Sequence, residues 1–256
     1  MKRQKKKTIK LANVLAPLIF LAAIIGLLEI YVAVSGIDAR ILPAPHVIFG
    51  KLFNRFGRDL SRDFFYTLKV ILTGYCIAIP GGIGLAAICS QSKLLSKAIT
   101  PVIILMICIP MLTVVPILVL RMGLVIQVRI IAVVLQALPV ICLNTLSGFR
   151  KVESSKIELF RSVGASRWQI FTKLIFPNAM PQVFTGLKLG CIFSTIAAMG
   201  ADLAAGNSGL GTKISAYSGS LMTDMAYATI IVVALIGIIL FMVVAEIEKK
   251  IVVWIK

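Results

Sequence analysis

Met225-Ala-Tyr-Ala-Thr-Ile-Ile-Val-Val-Ala-Leu-Ile-Gly-Ile-Ile-Leu-Phe-Met-Val-Val-Ala-Glu-Ile247 carries a charge only at Glu246. A run of that length is what a helix needs to cross a hydrocarbon core ~30 Å thick. A closed barrel is the other spanning solution, but its strands alternate apolar and polar residues over about ten positions, whereas this run is continuous. Comparable blocks occupy roughly residues 11–34, 66–89, 98–120, 127–148 and 183–203. Composition agrees: 59% of the 256 residues are hydrophobic and 14% charged, against about 45–50% and about 25% in soluble domains. The sequence predicts an all-α membrane protein with six transmembrane helices forming a single domain over residues 1–256.

The formal net charge of +17 does not indicate a nucleic-acid partner, because the cations lie in short segments between apolar blocks rather than on a soluble face. Basic flanks follow instead from the positive-inside rule. The start, Met1-Lys-Arg-Gln-Lys-Lys-Lys7, precedes an apolar stretch too long for a signal-peptide core, so it reads as an uncleaved first helix. With both termini on the cytoplasmic side, the segments 1–11, 90–97, 150–188 and 249–256 hold eighteen of the 27 Lys and Arg residues. Arg40, Lys51, Arg55, Arg58, Arg62, Arg121, Arg129 and Lys213 fall on the outer side, and Lys69 near a boundary. Val47, Ile48, Leu52, Phe53 and Phe56 at helical spacing predict an amphipathic helix on the outer surface, which accounts for the cations of segment 36–64.

Chemistry-bearing constellations are sparse. Cys76, Cys89, Cys108, Cys142 and Cys191 lie within or beside apolar runs with no CxxC spacing and read as small buried hydrophobes. His46 is the single histidine, placed on the interfacial helix, so a histidine zinc cluster is excluded. No GxxxxGK[ST] string occurs; Gly81-Gly82-Ile-Gly84 lacks its lysine and reads as a close-packing surface. No cofactor is expected in this chain. The third block is interrupted by Pro101, Pro110 and Pro116, and proline at membrane depth frees carbonyls that only protein or a wet cavity can satisfy. A bent packing helix and a pathway-lining one both fit.

Between the fourth and fifth blocks the hydropathy breaks over residues 150–182. Ser154 or Ser155 can cap a first helix, with Leu159, Phe160 and Val163 on one face. Gly164 stands where a left-handed residue would end it. Ser166 restarts the chain with Gln169 at capping-box spacing. Trp168, Phe171, Leu174 and Ile175 then line a second helix expected to stop before Pro177. Apolar Phe160 and Val163 on a projecting helix call for a partner groove, although an inert interfacial connector has the same local signals.

Glu158, Gly164 six positions later, then Leu174, Phe176 and Pro177 resemble, without gaps, the EAA motif of inner-membrane subunits of binding-protein-dependent ATP-binding-cassette importers. In that pattern Glu-Ala-Ala precedes a glycine and a terminal Ile-x-Leu-Pro; here Leu159-Phe160 replace the alanines and Phe176 the leucine. Leu42-Pro-Ala-Pro45, Gly164-Ala-Ser-Arg-Trp-Gln169 and Ala201-Asp202 before Asn207-Ser-Gly-Leu-Gly211 are similar to the nitrate, sulfonate and taurine branch. The resemblance implies the type I importer permease fold and an inner-membrane location. It further implies a cytoplasmic coupling helix that inserts into a separate ATPase, with Glu158, Leu159, Phe160, Arg161, Val163, Gly164, Ala165, Arg167 and Pro177 at the contact. ATP and magnesium would belong to a pair of those ATPase subunits. A second permease copy would complete the pathway as a homodimer, and an extracytoplasmic binding protein would deliver the solute.

Ionisable residues at membrane depth default to functional candidates. Glu29 reads as interfacial. Asp202 is a candidate for gating, with Pro110 and Pro116 as pathway candidates; capping of the following helix is the other reading of Asp202. A secondary carrier would show inverted repeats and midplane charges, and neither is evident. The solute expected from the branch is a small anion such as a sulfonate, taurine or nitrate, with a thiamine-precursor-like pyrimidine, molybdate or methionine as alternatives.

Overall fold

The computed structural model describes residues 2–254, apart from the side chains of 2–15, 17, 18, 58 and 93. Every regular element among the described residues is helical. In chain order these are α1 (Lys2–Ser35), α2 (Pro45–Arg55), α3 (Ser61–Ser90), α4 (Lys93–Cys108), α5 (Met111–Met122) and α6 (Ile126–Arg150). Then follow α7 (Ser154–Ser162), α8 (Arg167–Ile170), α9 (Phe176–Ala205), α10 (Leu210–Gly219) and α11 (Thr223–Ile251). Single π turns lie at Phe56–Leu60 and Phe171–Ile175.

Among the described residues four helical stretches are long and apolar enough to span: Ser61–Ser90, Ile126–Arg150, Arg167–Ala205 and Thr223–Ile251. The expected third span, 98–120, is not one helix. Its two halves, Leu94–Cys108 and Met111–Met122, meet at 88°. Pro110 has no N–H to offer the Met106 carbonyl and forces Ile109 into extended backbone (φ −73°, ψ 118°). Pro101 and Pro116 stay inside their helices. Of the expected first span, Ile19–Ser35 is a shorter apolar helix; the basic start Met1–Lys7 lies outside the described side chains.

The chain divides into two compact units, Met1–Leu60 with Ile214–Ile230, and Ser61–Lys213 with Ile231–Lys256. In the first, α2 is the expected amphipathic helix, burying Ile48 and exposing Phe53. The carboxylate of Glu29 on α1 accepts the His46 backbone N–H at 3.2 Å and lies 2.5 Å from its Nδ1, so it closes an N-terminal turn that the N-cap residue Ala44 leaves without a side-chain cap. Lys51 pairs with Asp224 at 3.2 Å.

In the second unit α6 lies between α3 and α9 and is buried along most of its length. Small residues permit the approach. A Cβ at Gly82 would come within 2.9 Å of the Ile141 side chain and the Leu138 carbonyl, and one at Gly81 within 2.9 Å of Leu138; Gly84 faces open space. At one end of the unit Arg150 of α6 donates to Ser96 in the first turn of α4, and Lys188 of α9 pairs with Glu248 of α11 at 2.7 Å. Cys89, Cys142 and Cys191 are buried as expected, whereas Cys76 and Cys108 are exposed.

Gly82→Ala and Gly84→Ala therefore act in opposite directions. The first drives a methyl into a carbonyl that cannot rotate away, costing about 1–3 kcal/mol. The second only removes backbone freedom and holds or raises stability. Thermal unfolding of the detergent-solubilised protein, followed by thiol-reactive dye, checks both signs.

Candidate functional site

The segment between α6 and α9 folds through local signals. α7 begins after Glu153, which takes the N-cap position without a side-chain bond; Ser154 and Ser155, expected as caps, are inside the first turn. Its end is a complete Schellman turn. Gly164 N–H donates to the Arg161 carbonyl at 2.9 Å and Ala165 N–H to that of Phe160 at 3.0 Å, with Gly164 at φ +79°. The capping box then forms as expected: Gln169 N–H donates to Ser166 Oγ at 3.2 Å, and Ser166 N–H to Gln169 Oε1 at 2.8 Å.

The second helix does not stop before Pro177. A π turn at Phe171–Ile175, where Phe176 N–H reaches back to the Phe171 carbonyl, shifts the register immediately ahead of the proline. Pro177 thereby lands in the first turn of α9, where an N–H is not needed, and the helical path runs from Arg167 to Ala205. This stretch rests on the unit through aromatic contacts. Phe171 meets Phe149 edge-on at 5.3 Å and Phe176 at 6.2 Å, and Trp168 stacks on Phe171 at 6.1 Å.

What α7 presents to solvent differs from the expected Phe160–Val163 pair. Leu159 is 64% and Val163 74% exposed, with Trp168 at 72%, while Phe160 and Ala165 are half-buried. Of the two adjacent residues Phe160 is the more covered and Leu159 the more exposed. Glu158, Arg161, Gly164 and Arg167 are exposed and Pro177 is half-buried.

The far end of the same unit holds Asp202, with Arg129, both 0% exposed. Arg129 was expected on an outer segment; it lies inside α6. Its Nε donates to Asp202 Oδ1 at 3.0 Å and its Nη2 to the Asn207 side chain and, at 3.5 Å, the Ser208 carbonyl. The guanidinium also lies 5.3 Å from the centre of the Tyr66 ring, a cation–π contact. Thr67 Oγ1 donates to Asp202 Oδ2 at 2.7 Å and accepts the Leu210 N–H at 2.9 Å. Asp63 Oδ1 accepts the Gly209 N–H at 2.8 Å. Thr67 and Asp63 thus cap α10 together with Asp202, which also accepts the Gly211 N–H; capping of the following helix is one of the two readings of Asp202. Gly209, at φ +98°, leaves no room for a Cβ, which would land on the Asp202 carboxylate. The arrangement ties the ends of α3, α6 and α9 to the 206–211 turn. The opposite-charge pairing rule for intramembrane ions was the signal that could have joined Arg129 to Asp202. Pro110, the other pathway candidate with Pro116, marks the α4–α5 break.

The family described as binding-protein-dependent transport system inner membrane component matches over residues 67–253. The chain is 28% identical over 249 residues to the formylaminopyrimidine transport permease protein of Halalkalibacterium halodurans, covering 94% of this chain and 96% of the relative. It is 26% identical over 224 residues to the taurine transport system permease protein of Escherichia coli, covering 85% and 82%. Among solved structures it is similar to a chain of the MetNI methionine ABC transporter in an inward-facing conformation, with a TM-score of 0.60 at 18% identity over 75% of this chain and 95% of that one. At that identity the likeness is one of fold.

The buried pair is chemically asymmetric. A guanidinium cannot shed its proton in a protein, whereas a carboxylate that loses its partner can take one up and become neutral. Asp202→Asn therefore leaves a permanent uncompensated charge and loses most of the folded protein, since breaking a buried pair costs about 3–5 kcal/mol. Arg129→Met is milder, and the double substitution recovers over Asp202→Asn alone. Size-exclusion profiles of membrane-extracted protein measure all three.

Proposed function

The chain belongs to the binding-protein-dependent transport system inner membrane components, and from that premise we propose that its 150–182 loop docks a separate ATPase and drives import of a small polar solute. The fold is that of the type I importer permeases, and the chain is a transport subunit of an inner-membrane ABC importer, not an enzyme. ATP and magnesium belong to the partner ATPase. The observation that carries the docking reading is α7 itself: a short helix closed by a Schellman turn, with Leu159 and Val163 facing solvent. That pair supplies the apolar surface a partner groove would take.

Docking by such a helix rests on apolar burial. Each side chain fully buried in a groove contributes about 1.5–3 kcal/mol, while exposed ion pairs such as Lys156–Glu153 contribute about 0–1 kcal/mol each. The charge bias of the sequence puts the Gly164 end in the cytoplasm, with both termini on that side. One loop per chain requires two permease copies for an ATPase dimer, and a homodimer is the simplest closed arrangement. An external binding protein delivers the solute. ATP binding draws the two coupling helices together and opens the bundle outward; hydrolysis resets it.

For the solute we favour a small anion of the sulfonate, taurine or nitrate kind, supported by the taurine relative and the branch-like segments at 42–45 and 207–211. The formylaminopyrimidine relative, matched over nearly its whole length, supports a small heteroaromatic solute as the second reading. Uptake by the reconstituted complex with its binding protein, competed by taurine, nitrate and a formylaminopyrimidine, separates the two.

Leu159→Asp and Val163→Asp abolish ATPase co-purification and uptake while the protein inserts normally, and Gly164→Pro does the same by destroying the turn. Ser155→Ala, on the exposed start of α7, leaves both intact. Co-purification of ATPase with Leu159→Asp at the natural ratio, with uptake retained, would sink the docking assignment.

A further inference from the structure

The break between α4 and α5 leaves backbone groups at membrane depth without helical partners. Met106 cannot be served by residue 110, which is proline. The Ile107 carbonyl is taken instead by Gln136 Nε2 of α6 at 3.2 Å. Cys108, the last residue of α4, has no carbonyl partner among the described residues. On the other side of the break the Pro110 carbonyl is satisfied by Thr113, through N–H at 3.0 Å and Oγ1 at 2.8 Å.

The depth of the break follows from its neighbours. Gln136 stands seven residues along α6 from the buried Arg129, roughly 10 Å at 1.5 Å per residue. A Cβ at Gly200, two residues before Asp202, would meet the Leu112 backbone at 3.6 Å. The break therefore lies about one to two turns inside the Asp202 end, not among headgroups. Yet Cys108, Ile109 and Pro110 are exposed.

Lipid offers no donor for a carbonyl, so non-helical backbone at this depth survives only against protein or a water-filled cavity. Off a two-fold axis a second copy would cover the elbow with a different part of its surface; on the axis it would bring the same acceptors to face one another, and two carbonyls cannot satisfy each other. Water, or a solute with N–H or O–H groups, can. Resting on the reading of this chain as an importer permease, we propose that the 106–113 elbow lines the wet solute pathway. The Met106 and Cys108 carbonyls are its acceptors for pathway water and for solute donor groups such as an ammonium, and Gln136 holds the elbow open. Pro110 creates the acceptors; Pro116, inside an unbroken helix, takes no part.

Cys108 is a built-in reporter. Cys89, Cys142 and Cys191 are buried, and the other exposed thiol, Cys76, is removed by Cys76→Ser. The complex of this variant with its ATPase, in proteoliposomes, is treated with the charged, membrane-impermeant reagent MTSET or with lipid-soluble N-ethylmaleimide. Thiolates form in water and not in hydrocarbon, so MTSET modifies a pathway-facing Cys108 about tenfold or more faster in one of the nucleotide-free and vanadate-trapped states than in the other. Modification by N-ethylmaleimide alone, no modification, or an MTSET rate indifferent to nucleotide each overturns the proposal. ATP turnover is measured on the same vesicles: a coupled complex with a lipid-facing Cys108 overturns the elbow alone, whereas an uncoupled one counts against the importer reading.

Discussion

A guanidinium that cannot become neutral is fully buried at one end of the second unit, and the geometry around it follows from pairing its charge through Nε and Nη2, with Nη1 left without a hydrogen-bond partner among the described residues. Arg129 on α6 needs an anion, and Asp202 on α9 supplies one. The second carboxylate oxygen then needs a donor, which Thr67 on α3 provides, and the same hydroxyl is free to accept from the first turn of α10. Three helices and one turn are thereby fixed by a chain of single hydrogen bonds. Such a network in a low-dielectric setting is stable only when each member is present. The 206–211 turn is compact because glycine at 209 gives the carboxylate its space and glycine at 211 lets the turn lie against the Asp202 Cβ and the Met199 carbonyl.

The two ends of the unit differ in how they were legible. The turn at Gly164 and the box at Ser166 and Gln169 are written in residues three to six positions apart, so the chain specifies them before anything packs. The buried pair joins residues 73 positions apart. Nothing local distinguishes Arg129 at the start of α6 from a flanking cation of the positive-inside kind, which is why charge counting placed it outside. Local spacing puts Leu159, Phe160 and Val163 on one face of α7, and it does not show that Phe160 is the more covered of the three. Leu159 and Phe160 are adjacent, and which faces solvent depends on how the Schellman turn folds α7 against the start of α8.

Proline shows the same division. Pro80, Pro139 and Pro181 lie within spans that stay helical, Pro177 is absorbed by a π turn, and Pro110 ends a helix. All remove one N–H and crowd the carbonyl four residues back. The outcome is set by what the neighbours offer that carbonyl region. Beside Pro110 the Gln136 amide reaches in to take the adjacent Ile107 oxygen, which makes an open break sustainable. The sequence marks where a span can yield; the partner helix decides whether it does.

Because Pro177 does not interrupt it, the helical path from Arg167 to Ala205 joins the proposed docking loop directly to the Asp202 network. A displacement imposed at α7 enters this path through α8 and the aromatic contacts of Phe171. The π turn at 171–175 is its one irregular stretch. Beyond it, α9 is locked against α6 by glycine contacts, with Gly186 and Gly190 lying on Ile141. Close-packed contacts of this kind transmit displacement rather than absorb it. The α6–α9 pair therefore moves as one body with the ends of α3 and the 206–211 turn attached, while α4 and α5 are joined only through two extended residues. That elbow is the place in the second unit where two helices meet without a continuous backbone hydrogen-bond ladder, while α5 itself stays packed on α9 and α6.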